Sequence, residues 1–261
     1  MTAVPGARPG APRPTGDRAT AKVRHLAAAS GLGEVRHVSA ATLNGPAWTV
    51  LVLIVLVFSA GPSLVGNAAP SSVAVLLPAF AALAALALWF LASEKLVVLD
   101  HGILVGSFAP LLRPAVLPFT AIDPRTVRAV VGNQRTTGLL LADRGVSGAS
   151  RTVLWSRRCV TFVGVSPVLA RRAAARREPV SLATAQSADL WMFSARDPRR
   201  QEALVRALGE TMRAAGVPGA QDVEALALPP RPVEVSPDGA DRLAIPEWMR
   251  GPRARRSQPA R

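Results

Sequence analysis

Between His37 and Glu94 the chain runs 56 residues, 38–93, without a charged side chain. Two apolar blocks fill this run, residues 47–60 and 73–91. Between them, Gly61-Pro62-Ser63 and the stretch 66–72, which holds Gly66, Asn67 and Pro70, supply turn residues. One bilayer crossing takes about 20 apolar residues, so the run is long enough for two. A first helix over 46–65 covers about 30 Å at the helical rise, with Pro46 in the first turn, where its missing N–H costs nothing. A second helix is predicted over 72–93, capped by Ser71 or Ser72 and kinked by Pro78. The alternative, one span plus a buried core helix, sits badly with two blocks that both lack a polar face.

From Glu94 the pattern changes to short apolar runs split by turn signals. Leu96-Val97-Val98-Leu99, then Asp100-His101-Gly102, then Ile103-Leu104-Val105 reads as a hairpin, with Gly102 offered for a positive φ. Further strands are expected at 115–119, 126–131, 139–141, 152–155, 159–163 and 190–193. Short strands at this spacing predict a small antiparallel barrel or sandwich. Asp197-Pro198 then opens a helix whose stripe is Leu204, Val205, Leu208 and Met212, stopped by Gly216.

Two spans, the segment Lys95-Leu-Val-Val-Leu-Asp-His-Gly-Ile-Leu-Val105, and then Val116-Leu-Pro-Phe-Thr-Ala-Ile122 resemble bacterial membrane-anchored proteins with a pleckstrin-homology-like (PH-like) domain. The close, Leu190-Trp-Met-Phe-Ser-Ala-Arg-Asp-Pro198, is similar to that of two-span actinobacterial membrane proteins of uncharacterised function. The resemblance covers roughly residues 47–215; the segment 166–187 departs from it as an insertion, and no functional residues carry over. It implies an α+β membrane protein: a two-helix transmembrane hairpin followed by a PH-like antiparallel β barrel or sandwich capped by a C-terminal helix. The expected division is 1–45, a largely disordered N-terminal cytoplasmic segment; 46–93, the transmembrane hairpin; 94–216, the PH-like domain; and 217–261, a disordered tail.

Charge sharpens the topology. The formal net charge is +14, from 29 Arg and 2 Lys against 17 acids. Arg18, Lys22, Arg24 and Arg36 precede the first block, Lys95 and Arg113 follow the second, and the connecting loop carries none. The positive-inside rule then predicts an inner (plasma) membrane protein with both termini cytoplasmic. Trp48 and Trp89-Phe90 lie at the matching interface. The Ala-rich second block offers close helix approach, to the first helix or to a second copy as a homodimer. No ionisable residue lies in either span, which argues for an anchor over an ion pathway.

Candidate chemistry is sparse. No Gly-x-Ser-x-Gly, His-Glu-x-x-His or P-loop pattern occurs, and the single Cys159 permits no intrachain disulfide. His25, His37 and His101 lack metal-ligand spacing, so no metal and no cofactor is expected. Asp100, Asp123 and Asp143 stand at turn signals, where aspartate bonds locally. The excess of arginine is not accompanied by a nucleic-acid motif or aromatic platform, so lipid outranks nucleic acid as its partner. Candidate lipid contacts are Arg171, Arg172, Arg176 and Arg177, in a segment read as loop, together with the pair Arg157 and Arg158 nearby in sequence, each worth about 1 kcal/mol near anionic headgroups. In the tail, Leu243, Ile245, Trp248 and Met249 form a candidate docking patch for a protein, the domain itself or the membrane. The expected function is that of a non-enzymatic membrane-anchored binding or scaffold protein. The alternative is an accessory subunit of a membrane enzyme or transport complex.

Overall fold

The computed structural model describes residues 14–41, 45–66, 70–132, 148–151, 156–176, 178–185, 187–233 and 243–249. The strands expected at 139–141 and 152–155, Asp143, Arg177 and residues 1–13 lie outside them. In chain order the described elements are β1 (Thr15–Gly16), α1 (Ala21–Ser30), β2 (Val35–Ala40), α2 (Gly45–Leu64), α3 (Val73–Ala92), β3 (Glu94–Leu99), β4 (Gly102–Ser107) and β5 (Ala115–Pro118). There follow β6 (Ile122–Val131), β7 (Gly148–Arg151), β8 (Arg158–Val165), α4 (Pro167–Arg176), β9 (Ala188–Ser194), α5 (Pro198–Ala214), α6 (Val223–Ala227) and β10 (Arg231–Pro232).

The chain is mixed α+β, with two five-stranded sheets in the orders β1-β2-β3-β4-β5 and β10-β6-β8-β9-β7. Leu96, Val98, Ile103 and Val105 of the first sheet meet Val160, Phe162, Trp191 and Phe193 of the second in one core. The rings of Phe162 and Trp191 stack at 6.1 Å, and Trp191 Nε1 donates to the Val165 carbonyl at 3.1 Å. Helix α5 closes this core with Leu204, Val205, Leu208 and Met212. Its N-cap Asp197 accepts from the Arg200 amide at 2.9 Å, Pro198 opens it, and Gly216 follows at φ 70°.

The sheets are not wholly antiparallel, as had been expected. β1 runs parallel to β2, β10 to β6 and β7 to β9. Each joins its sheet through a crossover or a distant segment, not a tight turn, so nothing imposes the antiparallel direction. Gly102 also differs from expectation. It takes no positive φ; a side chain there would meet the Leu117 carbonyl oxygen and, at 2.7 Å, Pro118 Cα. Its need is close approach between β4 and β5.

The described parts of both terminal segments, 14–41 and 217–233 with 243–249, are folded where disorder was expected. In the 1–45 segment, α1 is capped by Thr20, whose hydroxyl accepts from Val23 N at 3.3 Å, and ends at Gly31 with φ 70°. It lays Val23 and Ala27 on the outer face of the first sheet, over Val97, Leu99 and Leu104. In the 217–261 segment, Val233, Leu243 and Ile245 cover Val130, Cys159, Val163, Leu190 and Met192 on the outer face of the second. The reason is shared: β3, β4 and β8 carry near-continuous apolar runs, and a strand apolar on both faces needs cover on both.

The charge-free run forms α2 and α3, which pack together, with the Phe58 and Phe80 rings 5.7 Å apart and Ser63 Oγ 3.2 Å from Ser72 Oγ. Helix α3 holds Pro78, has a mean hydropathy of 2.4 over its best window, and buries no residue. By length and composition it can cross a membrane; the segment Trp48–Leu64 of α2 counts as a shorter apolar helix. Ser72 precedes α3 without a side-chain capping bond, contrary to the expected cap.

Candidate functional site

The helix pair is an insertion between two strands that are hydrogen-bonded neighbours. Ala40 at the end of β2 stands in register with Lys95 near the start of β3, and the Ala41 amide donates to the Glu94 carbonyl at 2.9 Å. The chain therefore leaves the domain into α2 and re-enters from α3 at one point. Ser107, the last residue of β4, faces Glu94 there. At the foot of α3, Ser93 Oγ sits 2.8 Å from Ser107 Oγ, and Phe108 N donates to the Ser93 carbonyl at 2.9 Å.

From this point the loop to Pro114 emerges. Leu111 is 96% exposed and Leu112 41%, although both are large apolar side chains. The Lys22 ammonium, from the first turn of α1, donates to the carbonyls of Ala109, Pro110 (3.4 Å) and Leu112 (3.2 Å). Three donors thus meet three carbonyls of one loop, which uses the full donor set of a lysine.

Asp17 binds the same end together. It accepts from the Ala40 amide at 2.8 Å and from Arg200 Nη1 at 2.6 Å. Arg200 opens α5, and the next residue, Gln201, donates from Nε2 to the carbonyls of Val130 (3.0 Å) and Cys159 (2.8 Å) in the second sheet. His37 is only 3% exposed, with Nδ1 2.8 Å from Thr15 Oγ1. Burial holds its pKa below the ordinary value; Asp17 opposes this and Arg200 adds to it. Burial likewise lowers Lys95, against the pull of Asp17. A cleft of about 250 Å³ opens here, lined by Gly16, Asp17, His37, Ser39, Arg199 and Arg200 among others. With its carboxylate engaged by an amide and a guanidinium, Asp17 is a fastening group.

The opposite end holds the turn at Asp100-His101. Asp100 accepts from the Glu34 amide at 2.7 Å and from Arg36 Nε, so its bonds run to a distant segment, not locally as expected. Burial pushes its carboxyl up, but these bonds and the Arg36 charge outweigh it and leave the pKa below the usual value. Asp123 does bond locally, its Oδ1 accepting from Arg125 N at 3.0 Å. Two clefts adjoin at His101. One, about 550 Å³, is lined by Arg36, Asp100, Glu210 and Thr211; the other, about 590 Å³, by Leu32, Phe119, Ile122, Leu182 and Val217.

The sequence-derived arginines divide between the two ends. Arg157 and Arg158 lie at the α5 N-terminal end, where the Gly132 amide donates to the Arg157 carbonyl and that of Ala195 to the Arg158 carbonyl. Arg171, Arg172 and Arg176 are exposed on α4, a helix where a loop had been read, which packs beside β5 toward the far end. Pro167 begins that helix, and the Ser166 hydroxyl accepts from Leu169 N at 3.4 Å. In the tail patch, Leu243 and Ile245 are buried on the domain, Met249 packs partly beside them, and Trp248 is exposed. Sequence reasoning missed Asp17, Lys22, Leu111 and Leu112; the one signal was two leucines enclosed by Pro110 and Pro114.

Among the described residues no cluster of three or more His, Cys, Asp and Glu side chains could hold a metal ion. Cys159 is fully buried, and burial pushes its thiol up to about 12, which keeps it protonated. A scan against protein-family models and searches of curated proteins and of solved structures gave no match to this chain.

Proposed function

We propose that the chain is a two-span membrane protein whose α+β domain, PH-like in its strands capped by α5, serves as a non-enzymatic binding platform on the cytoplasmic face. The observation that carries this reading is the register of Ala40 with Lys95. If α3 crosses a bilayer, the chain must have crossed before it, because the residues flanking the helix pair are hydrogen-bonded to one another. Helix α2, at 20 residues, has the length for that earlier crossing. The outward apolar surface favours lipid over a soluble setting: Val52, Leu53, Val57 and Phe58 on α2 and Val75, Leu83 and Leu86 on α3 are exposed. The excess of Lys and Arg over acids flanking the pair favours a cytoplasmic domain.

The clefts at His101 lie at the end remote from the helix pair, where a cytoplasmic partner would have free access. Their apolar and charged linings suit a protein or peptide segment better than a lipid tail.

Two preparations test the reading. The full chain should stay with membranes through an alkaline wash and leave them only in detergent. A variant in which residues 42–93 are replaced by Asn-Gly, joining Ala41 to Glu94 by a two-residue hairpin, should be soluble and folded. Release of the full chain by alkali, or collapse of the joined variant, would contradict it.

A further inference from the structure

We propose that the loop between Phe108 and Pro114 is an interfacial anchor: it inserts Leu111 and Leu112 into the headgroup–acyl boundary of an anionic bilayer beside the foot of α3. This rests on the membrane reading above and adds a second contact to the same surface.

Three features converge on it. The loop begins at the residue whose amide binds Ser93, the residue that closes α3, so it leaves the domain at the level where that helix would leave the bilayer. Its two leucines are exposed although, among the described residues of the domain, other exposed large apolar side chains are sparse, at Val168 and Trp248. A backbone entering a water-poor boundary needs donors for its carbonyls, and Lys22 supplies them to Ala109, Pro110 and Leu112. The lysine thus holds the loop in a form that turns leucine outward and leaves its own carbonyls satisfied.

Charge selects the lipid. Arg113 is exposed in the loop, and Arg18, Arg199 and Arg157 are exposed at the same end. Of the carboxylates there, Asp17 is occupied by Arg200, and Asp197 caps α5. Glu94 is half-buried at the start of β3. Anionic headgroups therefore meet a basic rim around an apolar tip, the arrangement that binds an interface by burial and by charge together.

The test uses the full chain in vesicles of phosphatidylglycerol and phosphatidylcholine in equal parts. Leu111→Cys, Leu83→Cys and Val168→Cys variants carry a polarity-sensitive fluorophore, with quenchers placed on the headgroup or deep in the acyl chain. Position 83, on α3, should be quenched by the deep probe, and position 168, on α4, by neither. Position 111 should show blue-shifted emission and quenching by the shallow probe. That shallow quenching should weaken in phosphatidylcholine alone and be lost when Lys22→Met is added. Position 111 behaving as 168 does, with 83 quenched, overturns the anchor and leaves the spanning reading intact; no quenching at 83 overturns both. Equal quenching in both vesicle types refutes the anionic preference, and persistence in Lys22→Met refutes the role of the lysine.

Discussion

Ala40 and Lys95 face one another in neighbouring antiparallel strands, although the whole apolar helix pair lies between them in the chain. The domain is therefore continuous through its insertion: β2 and α1, made before the helices, complete the sheet begun after them. Neither segment alone holds the whole first sheet, whereas the second is built entirely from the segment after the helices. A helix pair joined by two adjacent strands also fixes which end of the domain lies nearest it, the end of Asp17, Ser107 and Arg200.

Asp17→Ala should cost the joined soluble variant about 1–2 kcal/mol, most of it from the Ala40 amide left without its acceptor. Arg200 is 40% exposed, so its ion pair should contribute less than about 1 kcal/mol of coupling in a double-mutant cycle with Arg200→Met. Urea denaturation measures both. A neutral Asp17→Ala would mean that the N-terminal strand is not fastened in this way.

Stability should fall as the pH drops below about 6.5, the ordinary histidine value. His37 has a lowered pKa in the fold, so the unfolded chain takes up its proton first and the fold loses stability as pH falls through the unfolded value. The loss is complete once the pH is below the folded pKa as well. The denaturation profile of His37→Gln should lack this slope, and subtracting it from that of the parent should isolate it. An unchanged slope assigns it elsewhere.

Leu243→Ala with Ile245→Ala should release the tail from the second sheet. Both side chains are almost fully buried. Removing them should cost about 1–3 kcal/mol, less than a central core truncation because the segment can detach while the rest stays folded. Amide exchange should rise on β8 and β9, and the β3 and β4 amides should stay protected. Protection on β8 and β9 that does not change would refute this cover.

Much of the core was legible in the sequence. Leu96 to Leu99 and Ile103 to Val105 announce strands because both faces are buried, and α5 announces itself by Asp197-Pro198 and a stripe at helical spacing. What escaped depends on long-range pairing or small side chains. β2 reads Val-Arg-His-Val-Ser-Ala, weak until its partner β3 is known to lie beyond the helix pair. In α1 the buried positions are Val23 and Ala27, and in α4 Ala170 alone, so neither shows a stripe of large apolar side chains, and arginine dominates the pattern of α4. The Lys22 contacts reach across 87 residues and more to the loop, and no local pattern foretells them.

A photo-crosslinking residue at Thr120, which is exposed at the mouth of the larger His101 cleft, should give protein adducts in native membranes. The same residue at Glu202, on the exposed side of α5, should not. Equal adducts at both positions would remove the cleft as the partner surface.

The two-span claim is tested most directly by labelling Val65→Cys and Arg176→Cys variants with a membrane-impermeant maleimide in intact bacterial spheroplasts. Buried Cys159, its thiol pushed up to about 12, should stay silent in both. Position 65, exposed at the end of α2, should label without lysis, and position 176, exposed on α4, only after the membrane is opened. Labelling of position 176 in intact spheroplasts, or protection of position 65 until lysis, would contradict the account.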